Sequence, residues 1–235
     1  MTSLRDLRFF STAQHPCSYL ADQMATTLFV DPKSCLDTSA YSELGDFGFR
    51  RSGNYVYRPN CKDCNACIPV RIPASLFVPD RSQRRVLRIN ADLQIHLTPA
   101  GLTEERYTLY ERYIVGRHGD GDMYPPSREQ FESFLLSTWS NSSFIEFRLD
   151  NQLLAVAVID WLYTGISATY TFFDPDVPER SLGTFAILCQ IDLCRRQGMA
   201  AVYLGYWIRQ SRKMKYKSAF RPMELLIDNQ WLRVR

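Results

Sequence analysis

The stretch FIEFRLDNQLLAVAVIDWLYTGISATYTFF, residues 144–173, constrains the fold more than any other part of the chain. It is rich in β-branched and aromatic residues and is interrupted only by turn signals at Asp150-Asn151 and Thr164-Gly165, which predicts three antiparallel strands. The loop DPDVPERS then opens a helix from about Leu182 to Arg196, with Arg195 and Arg196 in its last turn and Gly198 just beyond. AAVYLGYWI follows as a further strand, which a returning helix would lay parallel to the strand before it.

Two helices precede the meander. After Thr103, EERYTLYERYIVGRH carries acids in its first turn and spaces Tyr107, Tyr110, Tyr113 and Ile114 by threes and fours, an amphipathic pattern. Ser127 with Gln130 reads as a capping box, followed by the apolar stripe Phe131, Phe134 and Leu135. Two helices, a meander, a long helix and a parallel-returning strand are the order of a GNAT-like acyltransferase fold of the α/β (α+β) class. The first hundred residues differ, being rich in Pro, Cys and Arg with little helical period. The expected organisation is therefore an N-terminal Cys/Arg-rich α+β region, 1–100, packed against a GNAT-like domain, 101–235.

Charge is small in sum, +3, but clustered. Arg81, Arg84, Arg85 and Arg88 fall within eight residues, and Arg209, Arg212, Lys213, Lys215, Lys217 and Arg221 within thirteen, so two basic segments could face one polyanion. YLGYWIRQSRKMKYKSAFRP interleaves such residues with aromatics, a composition suited to stacking on an adenosine end and neutralising phosphates, and equally that of a lysine-rich edge strand. GFRRSGNYVYRP offers guanidinium groups for a carboxylate or phosphate, or solvated arginines on an exposed strand.

Cys61-x-x-Cys64-x-x-Cys67, with Cys17 or Cys35 as a fourth, fits zinc or an iron–sulfur cluster, or a packed group of reduced thiols. Seven cysteines without an export signal favour thiols over disulfides and a cytoplasmic protein. No apolar run reaches membrane-helix length. The absence of G-x-S-x-G, H-E-x-x-H and Walker loops removes support for hydrolase, metalloprotease and nucleotidase readings. The strand-to-helix junction FFDPDVPERSLGTF holds only Gly183, thin for a coenzyme A loop, so the same architecture could serve another acyl donor.

Five ordered motifs carry a resemblance across nearly the whole chain: HPCSYL at 15–20, GFRRSGNYVYRP at 48–59, CKDCNACIPVRI at 61–72, FFDPDVPERSLG at 172–183 and LGYWIRQSRKMKYKSAFRP at 204–222. Together they resemble the arginyl-tRNA-protein transferase family, and its short, leucine-using bacterial branch in particular. The resemblance implies an aminoacyltransferase that moves leucine from leucyl-tRNA to the N-terminal Asp or Glu of proteins in the N-degron (N-end rule) pathway, with no membrane or DNA partner and no required cofactor. Arginine as the donor residue, or coenzyme A-dependent acetyl transfer, are the alternatives.

On that reading Asp174 orients or deprotonates the attacking amine, and Tyr19, Arg50, Arg51 and Arg71 meet the acidic acceptor residue. Tyr206, Trp207, Arg209, Arg212, Lys213, Lys215 and Lys217 meet the tRNA. The family's eukaryotic C-G-Y-C becomes Cys17-Ser18-Tyr19-Leu20 here, and its adjacent cysteine pair becomes Ala66-Cys67. Both changes weaken any transfer of metal binding to this chain.

Overall fold

The structure, a computed structural model, describes residues 2–119, 121 and 123–234. In chain order the strands are β1 Phe9–Ser11, β2 His15–Pro16, β3 Met24–Ala25, β4 Thr27–Val30, β5 Arg50–Ser52, β6 Tyr55–Pro59, β7 Ile68–Pro73, β8 Gln94–Pro99, β9 Ser142–Leu149, β10 Gln152–Trp161, β11 Gly165–Phe173, β12 Ala201–Trp207, β13 Met223–Ile227 and β14 Gln230–Val234. The α-helices are α1 Thr38–Asp46, α2 Arg81–Ile89, α3 Glu104–His118, α4 Arg128–Leu135 and α5 Leu182–Arg196, and a 3-10 helix covers Arg212–Ala219.

The main sheet runs β14-β13-β7-β12-β11-β10-β9-β8, and a smaller sheet runs β1-β4-β6-β5. The predicted meander is present as β9, β10 and β11, antiparallel throughout, and β12 returns parallel to β11 after α5. The position near residue 100 falls between β8 and α3, and strands from before it, β7 and β8, belong to the same sheet as strands from after it.

β10 is buried on both faces, as a central strand must be. Ala155, Ala157 and Ile159 join Phe185, Leu188 and Ile191 of α5 on one face. Val156 and Val158 meet Tyr110 and Ile114 of α3 and Phe131 of α4 on the other. A third cluster joins Val30, Tyr41, Leu44 and Val56 to Leu162 and Tyr203, so the N-terminal region shares its core with the main sheet.

Local signals act as expected at α3, where the Thr103 side chain accepts from Arg106 N, and at α4, where Ser127 accepts from Gln130 N at 3.0 Å. The box at Ser127 is only half made, because the Gln130 side-chain oxygen takes the Tyr110 hydroxyl instead, at 2.9 Å. A full capping box stands elsewhere, between Asp80 and Gln83 at the start of α2, within a segment that reads by composition as a charge cluster.

The feature that shapes the site is a parting of the main sheet. β11 and β12 pair only over Gly165–Ser167 and Ala201–Tyr203, then diverge for the rest of their lengths. Each strand carries an irregularity just past that point: the β10–β11 register shifts so that Thr169 is extra, and the β12–β7 register shifts so that Leu204 is extra. An extra residue bends the strand that holds it, so two bulges side by side open a wedge between the strands.

Candidate functional site

Arg50, on β5, sends its guanidinium to the apex of this wedge. Nη1 donates to Ser167 Oγ at 2.9 Å and to the Tyr203 carbonyl at 3.1 Å, and Nη2 donates to the Ala168 carbonyl. These groups belong to both diverging strands, so Arg50 replaces pairing that the sheet has lost there. Three of its five N–H groups are thereby used; the other two, one on Nε and one on Nη2, make no hydrogen bond among the described residues and are donors suited to an anion. No carboxylate is paired with Arg50 among the described residues.

Gly205 makes room for this side chain. Its φ is +76°, and a Cβ there would stand 3.3 Å from Arg50 Nε. Gly205→Ala is expected to cost about 1–2 kcal/mol through backbone strain alone and to displace Arg50. Thermal melting together with the KM of the acceptor checks both effects.

Lys217 approaches from the 3-10 helix. It is buried, Nζ donates to the Tyr206 carbonyl, and no carboxylate accompanies it among the described residues. Burial first, and then the charge of Arg50, push its pKa down to about 7. The wedge therefore holds two buried or half-buried cations without an acidic partner. The sequence expectation that Lys217 belongs to a surface strip is corrected: in a 3-10 helix residues three apart share a face, and Lys217 lines up with Met214 and Phe220, with Phe220 in the core.

Tyr206 is corrected as well. Tyr206 is buried, its hydroxyl donating to the Gly48 carbonyl at 2.8 Å, so its ring is closed to stacking, whereas Trp207 is only partly buried against the main core. Arg209, Arg212, Lys213 and Lys215 are exposed, beside the half-exposed ring of Tyr216.

Arg51 faces the opposite way from Arg50, as alternation along a strand requires. Its side chain is fully buried and grips Asp160 bidentately, Nε to Oδ2 at 2.8 Å and Nη2 to Oδ1 at 2.7 Å. It also donates to the carbonyls of Gly53 and Leu135. Burial pushes the Asp160 carboxyl up, but the charge of Arg51 and hydrogen bonds from Arg51, Ser142 and Thr169 outweigh it and hold the group below the usual carboxylate range. Arg51 is thus a structural residue rather than an acceptor contact. The cluster reaches the wedge through Tyr41, whose hydroxyl donates to Asp160 at 3.1 Å and lies 3.4 Å from Ser167 Oγ, the same oxygen that Arg50 binds.

Arg71 is likewise committed. Cross-strand Glu224 accepts from its Nε at 2.8 Å, Asp46 from Nη1 at 3.2 Å, and its guanidinium stacks on Trp231. Tyr19 is half exposed, next to Leu20 in an open cleft of about 560 Å³ that also takes in Asp63, Cys64 and Gln210.

Asp174 is buried just past the end of β11, at the mouth of the wedge. Its Oδ1 accepts from Arg112 at 2.7 Å and from Asp176 N at 3.0 Å. Six residues separate it from Ala168, roughly 20 Å along an extended strand.

Burial, and then the proximity of Cys17, Cys61 and Cys64, push the Cys67 thiol up to about 11. The four thiols are thus neighbours, as the spacing suggests. Among the described residues no three His, Cys, Asp or Glu side chains are grouped closely enough to hold a metal ion. No helix among the described residues is long and apolar enough to cross a membrane.

A sheet parted between two parallel strands, with a helix leading from one to the other, is the architecture of a GNAT-like α+β fold. The models for the N terminus and the C terminus of arginine-tRNA-protein transferase match residues 15–85 and 105–227. The chain belongs to the arginine-tRNA-protein transferase family. It is 56% identical over 231 residues to the aspartate/glutamate leucyltransferase of Alcanivorax borkumensis, covering 98% of this chain and 96% of that one. It is 53% identical to the protein of the same name from Pseudomonas fluorescens, covering 99% of each chain. Among solved structures it aligns with L-PGS from Bacillus licheniformis at 12% identity and a TM-score of 0.45, over 69% of this chain and 50% of that one.

Proposed function

We propose that this chain transfers leucine from the ribose ester of leucyl-tRNA to the N-terminal α-amine of proteins that begin with Asp or Glu. The near full-length similarity to aspartate/glutamate leucyltransferases carries this reading. The site supplies chemistry that suits it. Two desolvated cations without a counter-ion favour an anionic side chain from the substrate, and the remaining N–H groups of Arg50 with the Nζ of Lys217 would hold the carboxylate of the acceptor residue.

The acceptor's neutral α-amine attacks the ester carbonyl. A C–N bond forms, the C–O bond to the ribose breaks, and the proton shed by nitrogen goes to the departing ribose oxygen. The ester is already activated, so no cofactor is called for. An α-amine has a reference pKa of about 7.7–8.0, so a usable neutral fraction exists near pH 7 and holding it against the ester supplies much of the rate. An amine bonded to the same Cα as the gripped side chain lies within a few ångströms of it, far short of Asp174. In this proposal Asp174 and Arg112 line the mouth through which the donor enters.

The exposed Arg209, Arg212, Lys213 and Lys215 meet tRNA phosphates. Replacing Arg212 and Lys215 by Glu is expected to weaken tRNA binding and to flatten its dependence on salt by about two in log–log slope. A salt titration of binding checks this, and an unchanged slope contradicts the assignment. The function itself is tested by offering labelled leucyl-tRNA and arginyl-tRNA with peptides that differ only at residue one. Mass spectrometry should find leucine added to the Asp and Glu peptides, and arginine addition or no addition would overturn the reading.

A further inference from the structure

Of the four arginines of α2, Arg84 donates to the Pro79 carbonyl at 2.6 Å, and Arg81, Arg85 and Arg88 are absorbed neither by the fold nor by the wedge. Residues 81, 84, 85 and 88 fall within about 100° of the helix circumference, whereas Gln83, Val86, Leu87 and Asn90 occupy the opposite side. The burial follows that division: the four arginines are exposed, Gln83 and Asn90 are buried, and Val86 and Leu87 pack on the core. Spacings of three and four place each arginine beside another of like charge, an arrangement that destabilises a helix by a few tenths of a kcal/mol per pair. Arginines elsewhere sit on carboxylates, as Arg106 does on Glu146, Arg148 on Glu105 and Arg180 on Asp92. Arg81, Arg85 and Arg88 form no ion pair among the described residues.

The fold also joins this stripe to the other basic segment. Gln83 Nε2 donates to the carbonyl of Ala219, the last residue of the 3-10 helix that carries Arg212 and Lys215, at 3.0 Å, and Phe77 ahead of α2 meets Phe220 just after that helix at 6.1 Å. Two basic segments about 130 residues apart in sequence are thus anchored to each other through the buried side of α2.

We infer that α2 is a second contact surface for the donor tRNA, in which Arg81, Arg85 and Arg88 bind backbone phosphates of the paired region that follows the single-stranded 3′ end. This rests on the proposed function. The stripe is about 10 Å long, enough to meet two or three neighbouring phosphates of one strand. Phosphate contact requires no base readout, so the surface would serve donor tRNAs of any sequence in that region.

The test is the salt dependence of leucyl-tRNA binding by the triple variant Arg81→Glu, Arg85→Glu, Arg88→Glu, beside the triple Arg→Lys variant. Charge reversal should weaken binding about tenfold or more and flatten the log–log slope by two to three, while the lysine variant keeps the slope of the original protein. Thermal melting of both variants confirms that they are folded. An unchanged affinity and slope in the charge-reversed protein overturns the inference about α2. Absence of leucine transfer by the unaltered enzyme would instead overturn the function on which it rests.

Discussion

Arg51→Ala is expected to destabilise the protein by about 3–5 kcal/mol, the largest effect of any single substitution considered, because it strands a buried carboxylate. Asp160 would lose both guanidinium contacts in a place where its side chain is fully buried, and the carbonyls of Gly53 and Leu135 would lose a donor each. Removing one partner of such a pair is far worse than removing both, so Arg51→Met combined with Asp160→Leu should recover much of the loss. Chemical denaturation measures both variants. Stability within about 1 kcal/mol of the original, together with a raised KM for the acceptor, would return Arg51 to the substrate site.

Lys217→Met is expected to act in the opposite direction on stability and to be severe for function. The pKa of Lys217 is about 7 in the folded protein, against about 10.4 for an unperturbed lysine. Between these values the unfolded chain binds more protons, so stability rises with pH from about 7 toward 10, and the penalty of the buried charge is fully present below pH 7. Methionine removes that penalty. The melting temperature should rise by a few degrees at pH 7, and the climb in stability above pH 7 should flatten.

Transfer to Asp-initiated peptides should fall by 10- to 150-fold in kcat/KM, the loss of one charge-assisted hydrogen bond of ~1.5–3 kcal/mol. In the unaltered protein the acceptor's KM should climb as pH rises past 7 and Lys217 discharges. A flat KM from pH 6 to 9, with Lys217→Met as active as the original, would remove Lys217 from the acceptor site.

The C-terminal half was the more legible part of the sequence because its signals are local. Turn residues delimit β9, β10 and β11, and α5 runs between the expected ends. β7 is harder to read: IPVRIP contains two prolines, which argue against an inner strand, yet it lies between β12 and β13. α2 reads as charge because five of its nine residues are Arg or Ser, and its buried side shows only once the positions are placed on a helix.

The candidate site was half legible for a related reason. Neighbouring Arg50 and Arg51 are chemically alike, and only the strand's alternation, with a carboxylate 109 residues away, sends one to the wedge and the other to the core. Lys217 stands in a run of basic residues that composition treats as equivalent. The spacing of Met214, Lys217 and Phe220 by threes was the available sign that one of them points inward.

In the proposed function the wedge between β11 and β12 selects a carboxylate at residue one of the acceptor. The most direct measurement is kcat/KM for leucine transfer to two peptides that differ only by Asp or Asn at residue one, which match in shape and differ in charge. A preference for Asp of about a hundredfold or more is expected, collapsing in Arg50→Gln. Equal transfer to the two peptides, or a preference that survives in Arg50→Gln, would contradict it.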